Sequence, residues 1–473
     1  MTAIQSHFLI LSTAVLLTAC QTAPTDTPPG KEPSENIAID LEPGAKVVTL
    51  DGLPDNHIYP GARAPLSTHP LRALPPGSVR ATTWLLAGLN RLGRQLHNGN
   101  ADPSSWWAND APVHPEILRA RTRLALVTAD KSLQGLVDLQ IQTILSRQQS
   151  DGWIGPRELA QNPSWSSAEH VIQSLRDVYA ASPRDDLLDA LHRYVRFQSR
   201  WLQDHTPKKK DLTGLLEHTG HLAWLYNEHG DPGVVEHLVE MDKAFMAAAG
   251  NEDAPAGSQN ALDELIRRTV PEQNIDDSTQ IRLLKIRRQA LLKERANRDS
   301  KTGASSLVSA TELTFSTFSS KWSDLAAEHA TNTWNRSTST NPPAHQHAHA
   351  VFALSTYVSR AWLAGPGDGL VATAYVPCRV QAWVGEDEGT LVTLNVQRPT
   401  PRSSEIVIDL EASRKVLFPL GLRVPNDCQS LIVHVNGGAP IEGQAGTYLT
   451  LSRLWRPGDR VEVKLCPDAS ERI

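Results

Sequence analysis

Three short stretches hold the residues best suited to chemistry. Trp106-Trp107-Ala108-Asn109-Asp110 places two aromatic rings beside an amide and a carboxyl, and Trp153 and Trp165 follow near other expected helix ends. Sugars stack their flat C–H faces on such rings, while Asn and Asp bond the hydroxyls. Trp106, Trp107, Asn109, Trp153 and Trp165 are therefore the expected saccharide-binding residues, and an oligo- or polysaccharide is the expected partner. Glycoside hydrolysis by carboxylates needs one protonated and one ionised group. Asp110, flanked by apolar rings of the kind that raise a carboxyl pKa, is the expected catalytic residue. Glu116, Glu169, Glu217 and Glu312 are its available partners, and nothing in the sequence pairs any two of them. Glu169, in Ser166-Ser167-Ala168-Glu169, reads as part of a helix first turn. The third stretch alternates His345, His347 and His349, and His218 and His221 stand three apart on an expected helix. Imidazoles at these spacings could share a divalent metal; no other cofactor is implied.

These residues need a scaffold, and the pattern supplies one. From Ser78 to about Leu363, apolar residues recur at three- and four-residue spacing, with short turns such as Ser182-Pro183-Arg184 and His229-Gly230-Asp231-Pro232 between segments. Expected helices include Val79–Leu96, Pro115–Ala129, Leu133–Ser146, Ala168–Ala181, Asp185–Trp201, Leu212–Glu228, Pro232–Ala249, Ile281–Lys293, Leu313–Trp334 and Ala350–Leu363. Paired in hairpins, this number suits an α/α toroid. The Asp151-Gly152-Trp153 turn ends one helix, and in a toroid such a loop either aims Trp153 at the central cleft or buries the ring to close a helix hairpin. At Gly365-Pro366-Gly367-Asp368-Gly369 the apolar period falls to about 2. Eight short strands follow, from LVATAYVP to RVEVKL, which together make a β-sandwich. The fold expected is thus multidomain, an α/α toroid over residues 78–363 followed by a β-sandwich over 364–473. Residues 37–77 carry β-like runs that could join a sheet elsewhere.

The N-terminus reads as an address. Phe8–Leu17 is apolar but too short to span a bilayer, and it ends in Leu17-Thr18-Ala19-Cys20, which resembles a bacterial lipoprotein box. Residues 1–19 are then a signal peptide, Cys20 the lipid attachment site, and 20–36 a Pro/Thr/Ser-rich tether. Gln21 after the cysteine favours the outer membrane of the bacterial envelope. A net charge of -6 without a basic patch argues against nucleic acid as a partner. Beyond Cys20 only Cys378, Cys428 and Cys466 remain, enough for one disulfide with one thiol left over.

DGWIGP after a helix, then FALSTYVSRAWLAGPGDGLVATAYVPCRV, FPLGLRVP, VNG and GTYLTLSRLWRPGDRVEV, resemble the β-L-arabinofuranosidase-like glycoside hydrolases. The resemblance implies a six-hairpin barrel followed by a β-sandwich. It also implies a zinc bound by a glutamate and cysteines, one of them the nucleophile, with a separate glutamate as acid/base. The cysteines would come from a Glu-x-Cys element and a Cys-Cys pair. The matching neighbourhoods here read TGASSLVSATE and STNPPAHQHAHA, and no cysteine lies between Gln21 and Pro377. A thiolate nucleophile is therefore excluded from the expected barrel. Three readings follow: a hydrolase-like protein that acts on a glycan through carboxylates, a non-catalytic glycan-binding lipoprotein, or an interaction protein docking through its sandwich.

Overall fold

The computed structural model describes residues 40–42, 45–59, 61–66, 69–97, 106–107, 113–208, 211–250, 292–293, 296, 303–317, 319–339 and 344–466. The described helices are α1 (Thr83–His97), α2 (Pro115–Thr128), α3 (Lys131–Arg147), α4 (Trp165–Ala181), α5 (Asp185–Asp204), α6 (Leu212–His229), α7 (Pro232–Gly250), α8 (Gly303–Thr317), α9 (Ser320–Ser339) and α10 (Ala344–Ser359). Local chemistry sets their ends. Pro115 opens α2, Asp130 caps α3 by accepting from the Ser132 and Leu133 amides, and Ser164 caps α4. Gly230, left-handed at φ 72°, stops α6.

The helices form hairpins, α2 with α3, α4 with α5, α6 with α7 and α8 with α9. The first helix of each lies in an inner row, in which α8, α10, α2, α4 and α6 touch in that order. α1 packs outside α2 and α10. This is the toroid expected from the apolar spacing. The helix expected over Ile281–Lys293 lies largely outside the described residues, and three other boundaries differ from expectation. The helix expected over Ala350–Leu363 runs from Ala344 to Ser359, with Trp362 and Leu363 in a strand. Val79–Ala81 is a strand rather than a first helical turn, and the single helix expected over Leu313–Trp334 breaks at Ser319 into α8 and α9.

Thirteen strands are described: β1 (Asp40–Glu42), β2 (Ala45–Val48), β3 (Val79–Ala81), β4 (Trp362–Gly365), β5 (Gly369–Ala372), β6 (Cys378–Val384), β7 (Thr390–Gln397), β8 (Glu405–Ala412), β9 (Val416–Arg423), β10 (Ser430–Val435), β11 (Ile441–Gln444), β12 (Tyr448–Trp455) and β13 (Arg460–Leu465). One sheet runs β1-β2-β12-β9-β5-β4, the other β11-β10-β13-β8-β7-β6-β3. All eight expected strands form. The alternation in β6 and β13, buried then exposed, buries one face of each strand against the opposing sheet. The N-terminal strands do join a distant sheet: β2 pairs with β12, and β3 extends the other sheet along β6.

One apolar core runs from Leu89 of α1 and Leu124 of α2 through Phe352 of α10 to Phe418 and Trp455 of the sandwich, and a second, outer core packs α3 to α7 around Trp153, Trp165 and Leu222. Asp324 of α9 pairs with Arg423 of β9 across the same junction. Cys428 and Cys466 form the one disulfide, and Cys378 remains a buried free thiol. No described helix is long and apolar enough to cross a membrane. Cys20 and the segment expected to be a signal peptide lie outside the described residues.

Candidate functional site

The inner row encloses a cleft of about 1240 Å³. Each inner helix turns a polar stripe into it, spaced three or four residues apart: Glu116, Arg119 and Arg123 on α2; Glu169, Gln173 and Arg176 on α4; Glu217, His221 and Trp224 on α6. α8 adds Ser309 and Glu312, and α10 adds His349 and Phe352, with Arg360 just past its end. The segment from Tyr59 to Gly77 lines the remaining wall with Arg63, His69 and Arg72.

Contacts between these stripes fall into three levels. At the first, His349 Nε2 lies 3.4 Å from Glu116 Oε1, and the His349 ring meets His170 edge-on at 6.0 Å. In the middle level, Glu169 Oε2 faces Arg119 Nη1 at 3.3 Å and its Oε1 faces His221 Nε2 at 3.1 Å. Arg119 also lies 4.0 Å over the Phe352 ring. At the third, Arg123 Nη2 reaches Asp177 Oδ2 at 2.6 Å and Arg123 Nη1 donates to Ser359 Oγ at 3.4 Å. Residue numbers rise from the first level to the third on α2 and α10, and from Glu169 at the middle level to Asp177 at the third on α4, so these three inner helices run parallel.

Partners fix protons. The Arg176 guanidinium donates to His221 Nδ1 at 3.0 Å, which leaves His221 Nε2–H to donate to Glu169. Burial works to raise the Glu116 carboxyl, but the His349 hydrogen bond and the positive groups of His349, His114 and Arg119 outweigh it and hold the carboxyl below its ordinary range. His170 is pushed well down, first by burial and then by the charge of Arg119, so its ring stays neutral. Burial likewise lowers His218 to about 4.

Most of the residues expected from the sequence are placed elsewhere. Trp153 is fully buried among Trp106, Tyr194 and Phe197, and its indole donates to the Pro156 carbonyl at 2.8 Å. The turn itself is as expected, with Asp151 Oδ1 accepting from the Trp153 amide at 2.9 Å. Its direction is not that of the cleft. Gly152, at φ 101° and packed against the Arg193 carbonyl, lets the turn fold down onto α5, so the ring enters the outer core instead of the cleft. Trp106 and Trp165 are buried in the same core, and half-buried Trp107 packs on it. None of these four rings lines the cleft. Asn109 and Asp110 lie outside the described residues.

The alternating histidines are separated by helix geometry. They lie on α10, where residues two apart point to nearly opposite sides. His345 is exposed, His347 is buried with Nε2 donating to the Leu92 carbonyl at 2.8 Å, and only His349 enters the cleft. The expected three-histidine metal site is therefore not assembled. His218 is also drawn away, its Nδ1–H donating to Gly214 O and its Nε2 accepting from Tyr194 OH. Glu169, expected as a helix-start acid, is instead buried at the centre of the cleft. Trp224, which sequence reading passed over, is the tryptophan that lines the cleft among the described residues. The usable signal was charge at helical spacing inside apolar helices, as in Glu116, Arg119 and Arg123.

The zinc implied by the family resemblance does not fit these residues. Cys378 is buried in β6, where burial raises its thiol well above the usual range despite a bond to Trp362. The other two sandwich cysteines are joined to each other. Among the described residues, no three His, Cys, Asp or Glu side chains come together as metal ligands.

Comparison with known proteins follows the architecture. Residues 369–466 match the family model described as the β-L-arabinofuranosidase GH127 middle domain. No curated protein sequence matches the chain. A solved glycoside hydrolase superposes with a TM-score of 0.62 at 13% identity, over 84% of this chain and 78% of its own. A GH127 β-arabinofuranosidase gives 0.55 at 14% identity, over 84% of this chain and 80% of its own. The GH127 β-L-arabinofuranosidase of Geobacillus stearothermophilus T6 gives 0.52 at 14%, covering 80% and 75%. The resemblance to the arabinofuranosidase-like glycoside hydrolases is thus borne out in the sandwich sequence, and the helical barrel with its β domain is their fold.

Proposed function

We propose that this chain binds an oligosaccharide in the inner cleft and holds it without zinc–thiolate turnover. The observation that carries this reading is the engagement of Glu169. The central carboxylate of a glycoside-hydrolase fold is occupied on one oxygen by Arg119 and on the other by His221. Asp177 is likewise gripped by Arg123 and Arg176, and Glu116 is held ionised beside His349. A carboxylate pair that hydrolyses a glycoside needs one member ready to give a proton, and these three are arranged instead as fixed charges. Fixed charges, with half-buried Trp224 braced edge-on by Tyr179 at 5.7 Å, orient hydroxyls and stack a sugar face. The reading includes anchoring: Cys20 carries a lipid and places the cleft on the bacterial envelope, in the outer membrane.

Calorimetric titration with arabino-oligosaccharides tests the site. Binding should be measurable and fall about tenfold in Trp224→Ala, the loss expected of one aromatic contact with its buried area. No turnover should be seen on an aryl β-L-arabinofuranoside. Steady hydrolysis, or failure of every oligosaccharide tried to bind, sinks the reading. Anchoring is tested separately by Cys20→Ser, which should move the protein from the membrane fraction to the soluble envelope fraction.

A further inference from the structure

The third level of the cleft holds more positive charge than its own carboxylates balance. Arg123 comes from α2, Arg176 from α4 and Arg360 from the end of α10, and all three line the cleft. Asp177 is their close counter-ion, 2.6 Å from Arg123 Nη2 and 3.5 Å from Arg176 Nη2. Arg360 is paired more loosely, with Nη2 4.0 Å from Glu312 Oε1. Guanidinium groups do not lose their protons at any ordinary pH, so among the described residues of this level three cations face two carboxylates.

The arrangement is costly as it stands. Arg123 is 5% exposed, and the Nε–H groups of Arg123 and Arg360 are buried without a hydrogen-bond partner among the described residues. Burial, and then the charges of Arg123 and Arg176, work against the charged form of Arg360, and Glu312 and Asp177 do not fully offset them. The guanidinium planes are nevertheless fixed. Arg360 lies 4.9 Å over the Phe315 ring, and Arg123 donates to Ser359 Oγ at 3.4 Å. Fixed, clustered guanidiniums with donors to spare are the usual means of gripping an oxyanion through paired N–H groups.

We propose that Arg123, Arg176 and Arg360 form a subsite for an acid group on the bound glycan, the carboxylate of a uronic acid or a sulfate ester. The inference rests on the glycan-binding reading and narrows it to acidic glycans. The acid would supply the missing negative charge and accept from the guanidiniums at the third level, while neighbouring sugars lie toward Trp224.

The test is a titration of the full chain with tri-galacturonate, its fully methyl-esterified form and a sulfated trisaccharide. The ester keeps the shape and removes the charge, so no variant is needed for the central comparison. Tri-galacturonate or the sulfated sugar should bind at least tenfold tighter than the ester, and whichever binds tighter names the acid group. That preference should shrink as sodium chloride is raised. Arg360→Gln should abolish the preference, and Arg360→Lys should retain part of it. Equal binding of acid and ester overturns the inference and leaves the glycan-binding reading standing. A uniform loss for all sugars in Arg360→Gln overturns it as well, since that is the mark of a structural role. If none of the three sugars nor any arabino-oligosaccharide binds, both readings fall together.

Discussion

Replacing Glu169 with Gln keeps the shape of the central carboxylate and removes its charge. The Glu169 side chain is 6% exposed and that of Arg119 11%, so solvent does little to screen the pair. Removing one partner of a buried ion pair typically costs about 3–5 kcal/mol, because the survivor stays charged in a poor solvent. The amide oxygen of Gln can still accept one of the two former bonds, which returns about 1 kcal/mol. The net expectation is a loss of about 2–4 kcal/mol, a large part of a typical domain's stability. Glu169 leads the carboxylates that offset the burial of Arg119, ahead of Glu217 and Glu116, so the remaining acids should not make up the difference. Urea unfolding followed by tryptophan fluorescence measures this directly, with the slope of the transition unchanged and only the midpoint lowered. Arg119→Met alone should destabilise similarly, yet Glu169→Gln with Arg119→Met should lie closer to the parent than the two losses summed. A Glu169→Gln protein within about 0.5 kcal/mol of the parent would mean that Arg119 does not depend on Glu169, and the account of the cleft as fixed charges would collapse.

Other outcomes follow from the same geometry. His218, lowered by burial to about 4, binds its proton less readily folded than unfolded, so its contribution to stability is present above about pH 6.5 and is lost as pH falls toward 4. The loss should reach on the order of 3 kcal/mol, and His218→Gln should flatten that part of the curve of unfolding midpoint against pH. Trp153→Ala should cost about 3–5 kcal/mol in urea unfolding, as a core deletion does, whereas Trp224→Ala should leave stability near that of the parent. Gly152→Ala should also destabilise, since a side chain there meets the Arg193 carbonyl and the φ of 101° disfavours it. Iodoacetamide should fail to label folded protein at Cys378, label it in urea, and leave glycan binding intact; labelling of the native chain would place that thiol nearer solvent than its burial allows.

What the sequence made legible was period, and what it concealed was direction. Apolar spacing located most of the helices and eight of the nine described strands from β5 onward, missing only the four-residue β11, because burial of a face imposes its own repeat on the chain. The same repeat located Trp153 at a helix end but could not say on which side of a turn the ring falls. That depends on Gly152 packing against a carbonyl of α5, forty-one positions away in the chain. The histidines show the converse. An alternating pattern reads as a ligand set only if the backbone is extended, and here α10 begins at Ala344 and sends His347 into the core while His349 meets Glu116. Glu116, Glu169, Glu217 and Glu312 stand in the sequence only as candidates, because spacing along separate helices does not show which carboxylate meets which cation. In a toroid the inner helices have two apolar flanks and a polar stripe between them, so a carboxylate such as Glu169 can be both buried and functional.

The missing thiols and the paired charges are parts of one argument. A thiolate and a bound zinc would bring their own compensating charges into a cleft of this kind, and a chain without the cysteines must stabilise the same buried space otherwise. The two neighbourhoods that the resemblance aligns with the cysteine elements contribute Glu312 from α8 and His349 from α10, and both line the cleft. Neither joins a metal-binding group among the described residues; Glu312 faces Arg360 and His349 faces Glu116. Salt links of this sort neutralise a cavity without providing a nucleophile, and they hold their donors in place for a ligand that arrives with charge and hydroxyls of its own. Restoring single cysteines in these neighbourhoods should therefore not create turnover, because one thiolate does not complete a zinc ligand set among carboxylates already engaged by arginines. Activity appearing in a Ser309→Cys variant supplied with zinc would show that the cleft had lost only its ligands, and that its electrostatics still suited the reaction.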